Sequence, residues 1–150
     1  MDMNSRFVAL IASSILIVST FVTIPSANAS KCTSITSRDW KLISKNPNAA
    51  KGKNVWIFGK ITQFDDATGT SSFRANVDGI NHFDGKYFSA GENAWVIGNT
   101  KALSQYVNDD VFKACVTVSG VFSYSTALTG GKLTVPKVKI RTISLLGSVS

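Results

Sequence analysis

The chain has 150 residues, a formal net charge of +7 and an isoelectric point near 9.6, which bounds it to one small domain with a single core. A basic balance of this size favours anionic surroundings such as nucleic acid, acidic wall polymers or lipid headgroups, first as non-specific contact and only then as recognition. One histidine and two cysteines exclude a tetrahedral zinc shell made without carboxylates, and the GxSxG, HExxH, P-loop and dinucleotide motifs are all missing from the sequence.

At the start of the chain, Arg6 precedes an apolar run over 7–24, then Pro25, Ser26 and Ala27-Asn28-Ala29. These are the charged, apolar and small-x-small parts of a secretory signal peptide. The expectation is a leader over 1–29 and a single domain over 30–150. A retained membrane anchor is the alternative, because the apolar run approaches the length of a span. Asp2 and Arg6 leave together, so the net charge stays the same. Cys32 and Cys115 both lie in the exported part, where an oxidising compartment predicts a disulfide between them. Lys31, directly before Cys32, argues against a lipid-modified cysteine.

Residues 34–46 predict a short helix capped by Thr36 or Ser37, with Trp40 and Ile43 on one face. Pro47 ends it by turning Asn46 away from helical dihedrals. Trp40 reads as a plug for one mouth of the domain, with a ligand-stacking tryptophan as the alternative. After a connector over 48–53, the stretch 53–77 predicts a long hairpin. Val55, Trp56, Ile57 and Phe58 lead past Gly59 to a polar turn over 65–71, and Phe73, Ala75 and Val77 then alternate with Ser72, Arg74 and Asn76. Residues 79–93 have no clean period, with a short strand expected around 86–89. A third strand follows over 94–98, and a helix over 100–107 capped by Asn99 or Thr100. Residues 111–124 read as a long strand that bends or bulges at Gly120, Gly130-Gly131 as a hairpin signal, and 133–145 as the last strand, where Pro136 marks an edge or a bulge.

This order predicts an all-β domain with two short helices: a five-stranded OB-fold Greek-key barrel preceded by a short N-terminal helix. The lone helix between the third and fourth strands is the main argument, and Gly59 and Gly120 supply the bends that closure requires. A small open sandwich is the alternative. The runs NPNAAKGKNVWIFGKITQFDDATGTSSFRANV and DDVFKACVTVSGVFSYSTALTGGKLTVPKVKI resemble small secreted OB-fold proteins of Gram-positive bacteria, whose barrel is similar to the tRNA-anticodon-binding type. The resemblance spans nearly all of the chain beyond the leader. It implies the fold, export and a binding role, and brings no catalytic residues. The anticodon-type label describes barrel shape, not a tRNA ligand.

For chemistry, His82 is the single histidine and reads as a solvated loop residue, with a catalytic role as the alternative. The pairs Asp65-Asp66 and Asp109-Asp110 fit turn chemistry, or weak cation binding. The expectation is therefore no enzyme, no metal and no cofactor. A metal-dependent nuclease is the remote alternative, since it needs clustered carboxylates and arginines. For binding, parity sets Val55, Ile57, Gly59 and Ile61 against Trp56, Phe58, Lys60 and Thr62. If Phe73, Ala75 and Val77 point inward, the outward set is Trp56, Phe58, Lys60, Arg74 and Asn76, aromatic platforms beside cations. Such surfaces hold single-stranded nucleic acid by stacking and charge, and they suit sugar rings equally. The competing reading makes Trp56 and Phe58 core beneath the N-terminal helix and the loop before the third strand, because exposed aromatic patches are uncommon. Lys137, Lys139 and Arg141 read as guards of a strand edge. The expected function is a secreted, non-catalytic module for an anionic polymer, oligonucleotide or glycan of the cell envelope. The alternative is a structural domain docking on an envelope protein.

Overall fold

The computed structural model describes residues 31–126 and 130–149; the leader expected over 1–29 lies outside them. The strands are β1 (Asn54–Gln63), β2 (Ser72–Asp78), β3 (Glu92–Ile97), β4 (Asp110–Ser125) and β5 (Lys132–Ser148), with α1 (Ser37–Lys45) ahead of them and α2 (Thr100–Leu103) between β3 and β4. Neighbours run β1-β2-β3-β5-β4, and β4 pairs back onto β1 to close the barrel. All pairings are antiparallel except that of β3 with β5. This order, with a helix between the third and fourth strands, is the OB-fold, and closure rules out the open sandwich.

Alternation builds the core. Val55, Ile57 and Ile61 of β1, Phe73, Ala75 and Val77 of β2, and Phe112, Ala114, Val116 and Val118 of β4 are all buried, with Phe73 edge-on to Phe112 at 5.4 Å. At Gly59 the pairing of β1 with both neighbours is unbroken, and the glycine makes room. A Cβ there would sit 2.8 Å from Phe112 Cζ and 2.9 Å from the Asn76 carbonyl oxygen. The shift in β1 register comes later, between Ile61 and Gln63.

Of the bend or bulge that the sequence places at Gly120, β4 forms the bulge, and it does more than curve the strand. Val118 faces Val138 and Gly120 faces Lys137, which leaves Ser119 unpaired, and Gly120 has φ +108°. One extra residue exchanges the two faces of a strand beyond it. Phe122 and Tyr124 therefore lie on the outer face, although they share the parity of the inward Phe112 to Val118. Pro136 sits opposite Val121, beside this bulge, where a missing N–H is tolerated.

The ends of the barrel are closed from the two sides of β1. Thr36 and Asp39 form a capping box that starts α1: the Asp39 N–H donates to Thr36 Oγ1 at 3.1 Å and the Thr36 N–H to Asp39 Oδ2 at 2.9 Å. The helix buries Trp40 and Ile43 in the core, so Trp40 is the plug. A 3-10 turn over Pro47–Ala50 opens the connector expected over 48–53. At the other end of β1, α2 buries Leu103, and Tyr106 follows it into the core. Burial, with the Asp110 carboxylate adding to it, raises the Tyr106 phenol above its ordinary value of 10.0. The helix stops at Leu103 instead of reaching Val107, because Asp110 Oδ2 takes the Val107 N–H at 2.9 Å and turns the chain into β4.

Cys32 and Cys115 are joined, with their Cα atoms 5.8 Å apart. The bond holds the N-terminal segment beside β1, where the Thr33 N–H donates to the Asn54 carbonyl and the Trp56 N–H to that of Thr33. The strand expected around 86–89 shrinks to a single bridge between Phe83 and Phe88. Asp84 organises this loop by accepting from the Tyr87 and Lys86 N–H groups at 2.7 and 2.8 Å, which holds its carboxyl below the ordinary 3.8. No helix among the described residues is long and apolar enough to cross a membrane.

Candidate functional site

Arg74 lies between the buried Phe73 and Ala75 and so points out from β2; Trp95, between Ala94 and Val96, points out from β3. The two are cross-strand partners. Beyond the Ser119 bulge, β4 brings its own aromatics onto this face. Phe122 stacks on Trp95 with ring centroids 4.0 Å apart and planes at 18°, and Tyr124 continues the row at 6.2 Å. The Arg74 guanidinium lies over the Tyr124 ring, 4.6 Å from its centroid. The result is a line of one cation and three aromatic planes.

Amides fix this line in place. Arg74 Nη1 donates to Gln63 Oε1 at 3.1 Å, and Asn93 Nδ2 donates to the Tyr124 hydroxyl at 3.2 Å. Arg74 Nε and Asn93 Oδ1 are buried and have no hydrogen-bond partner among the described residues. The row borders a groove of about 550 Å³ between the β1–β2 and β4–β5 turns, lined also by Gln63, Thr68 and Thr126. Arg74 is the one charged side chain among its described lining residues.

The β1–β2 turn is built to hold its shape. The Asp65 carboxylate accepts from the Ala67 N–H at 3.0 Å, the Asp65 N–H donates to the Thr68 hydroxyl, and the Ser72 hydroxyl donates to the Thr68 carbonyl at 2.6 Å. Gly69 supplies the left-handed residue at φ +78°. Asp109 lies 3.2 Å from the Lys60 ammonium, and Asp110 caps the turn before β4. Among the described residues no group of three or more His, Cys, Asp or Glu side chains is disposed to hold a metal ion.

The five residues expected to bind ligand fall into two places. Arg74 is in the groove. Asn76 is on the same outer face, with Lys60 opposite it on β1 and Asn93 on β3. Trp56 and Phe58 form a separate patch on β1, where the Lys113 ammonium lies 4.6 Å from one ring centroid and 5.7 Å from the other. Both rings are partly exposed and outside the core cluster, so the reading that made them core does not hold. Trp95, Phe122, Tyr124 and Gln63 were not anticipated. Alternation with Ala94 and Val96 is the signal that points to Trp95, whereas Phe122 and Tyr124 share the parity of the inward Phe112 to Val118 and reach the outer face only through the bulge.

His82 is not a simple solvated loop residue. Its Nε2 lies 3.3 Å from the buried Asp78 carboxylate, at ion-pair distance but outside hydrogen-bond geometry, and its ring meets Phe88 edge-on at 6.2 Å. The Ile80 N–H donates to the other Asp78 oxygen, so the pair anchors the exit from β2.

The chain matches no known protein-family profile. It matches no curated protein. Among solved structures it is similar to two crystal structures of the mitochondrial single-stranded DNA binding protein Rim1 of S. cerevisiae. One is 14% identical and covers 67% of this chain and 99% of that one; the other is 15% identical and covers 65% and 98%; each has a TM-score of 0.37.

Proposed function

We propose that this protein is a non-catalytic OB-fold module that holds single-stranded oligonucleotide against the outer face of β2 and β3. The observation behind this reading is the row Arg74, Tyr124, Phe122 and Trp95 beside a groove whose described lining has no carboxylate. Bases stack on aromatic planes irrespective of sequence, at about 1–3 kcal/mol each, while a cation draws the phosphates. The unpartnered Arg74 Nε and Asn93 Oδ1 offer a donor and an acceptor for base edges or phosphate, and a bound ligand would relieve the cost of leaving them unpaired. The net charge of +7 steers any polyanion toward the surface.

We place the module outside the cytoplasm. The leader-like sequence over 1–29 supports this, and so does the Cys32–Cys115 bond, which persists in oxidising compartments. The ligand is then an oligonucleotide or a chemically similar anionic polymer of the envelope. Titration of tryptophan fluorescence with single-stranded oligonucleotides at two salt concentrations tests the reading. Saturable binding that weakens with salt is expected, and Arg74→Ala should lose it while far-ultraviolet circular dichroism stays unchanged. Equal affinity in the Arg74→Ala variant, or salt-indifferent binding of a neutral glycan alone, would overturn it.

A further inference from the structure

We infer that the outward face of α1 and the segments flanking it form a docking surface for an anionic phospholipid membrane. The helix buries Trp40 and Ile43 and turns Arg38, Lys41, Leu42 and Lys45 outward, and these four line one shallow depression. Their spacing of three, four and seven puts them on a single stripe. Leu42 is 54% exposed at its centre. Lys31, Lys51 and Lys53 are exposed on the flanking segments.

The charge here is lopsided. Residues 31–53 carry six cations (Lys31, Arg38, Lys41, Lys45, Lys51 and Lys53) and one acid, Asp39, so this stretch holds +5 of the whole chain's +7. The one acid is engaged in the capping box with Thr36. None of the six cations is in an ion pair among the described residues. A cluster of four to eight Lys and Arg beside apolar surface fits anionic lipid headgroups, and a central leucine suits the acyl boundary beneath them.

The same face suits nucleic acid poorly. Its apolar element is aliphatic, without the aromatic plane on which a base stacks, and it shares no lining residue with the groove at Arg74. The two surfaces can therefore be tested independently. Vesicle sedimentation of the full chain compares phosphatidylcholine alone with a phosphatidylcholine and phosphatidylglycerol mixture. Any contribution of the apolar run over 7–24 is common to both, so the ratio of the two partition coefficients isolates the charge term. We expect phosphatidylglycerol to raise partitioning, added salt to reverse the rise, and the combined substitution R38Q, K41Q and K45Q to lower the ratio by roughly tenfold or more. Lys51→Gln with Lys53→Gln, which leaves α1 untouched, should lower it by several-fold, so a folding defect in the helix cannot mimic the result. Arg74→Ala should leave the vesicle ratio unchanged, so failure of the oligonucleotide reading is distinguishable from failure of this one. The proposal is overturned if phosphatidylglycerol has no effect, if both cation-depleted variants keep the wild-type ratio, or if those variants lose oligonucleotide affinity while vesicle binding stays the same.

Discussion

Arg74 presents a flat guanidinium to Tyr124 and one nitrogen to Gln63, a pair of contacts that a lysine cannot reproduce. Arg74→Lys keeps the charge yet should weaken oligonucleotide binding by about 3- to 30-fold, the range of a cation–π contact. Lys60 is different, since its ammonium already faces Asp109. Lys60→Ala should change affinity by no more than roughly threefold, as exposed ion pairs contribute little; fluorescence titration of both variants checks the contrast. A second prediction concerns Asp39. The Thr36 hydroxyl and N–H hydrogen bonds hold its carboxyl below the ordinary 3.8. A lowered folded value means that the cap's contribution is present above 3.8 and is lost as the pH falls through that lower value. Amide exchange at Asp39 and Trp40 should quicken in that window, and Asp39→Asn should abolish the pH dependence.

Gly120 shows how much an element can depend on one residue. Its φ of +108° is a region that side chains rarely adopt, and an added Cβ would meet Asn48 Oδ1 at 3.0 Å. Gly120→Ala should cost about 1–3 kcal/mol in urea unfolding and disturb the near-ultraviolet signal of Trp95, which stacks on Phe122. The five strands were legible because each has one buried face, and alternation such as Phe73, Ala75, Val77 against Ser72, Arg74, Asn76 declares it. The groove was only partly legible. Arg74 followed from the same alternation, but Phe122 and Tyr124 share the parity of the inward residues of β4, and a bulge breaks parity without changing composition. A glycine announces that a strand bends or bulges; it does not say which of the two, nor which face the residues beyond it take. α2 was drawn too long for a comparable reason. Val107 has helical spacing, yet a side-chain carboxylate three residues later captures its N–H, and a local periodicity holds no trace of that competition.

For the molecule as a whole, closure and the covalent tie act together. The bond between Cys32 and Cys115 spans a sequence separation of 83 and joins the segment before α1 to the middle of β4. In the chain-entropy description a loop of this size stabilises the folded state by about 4–5 kcal/mol. Reduction, or Cys32→Ser with Cys115→Ser, should lower the unfolding free energy by up to that amount, read by urea denaturation with and without reductant. The groove is made by β2, β3 and β4 together with two turns, so ligand affinity should fall in step with the folded fraction and not before it.

The unpaired Ser119 makes ligand recognition a matter of counting. Losing one residue just beyond it, at Val121, would turn the two rings of β4 toward the barrel axis and set serines in their place, whereas losing Ser119 itself would only regularise the ladder and leave the rings outside. Divergence in what such proteins grip is then to be sought in gains and losses of one residue at this corner, which a scan of point substitutions would never sample.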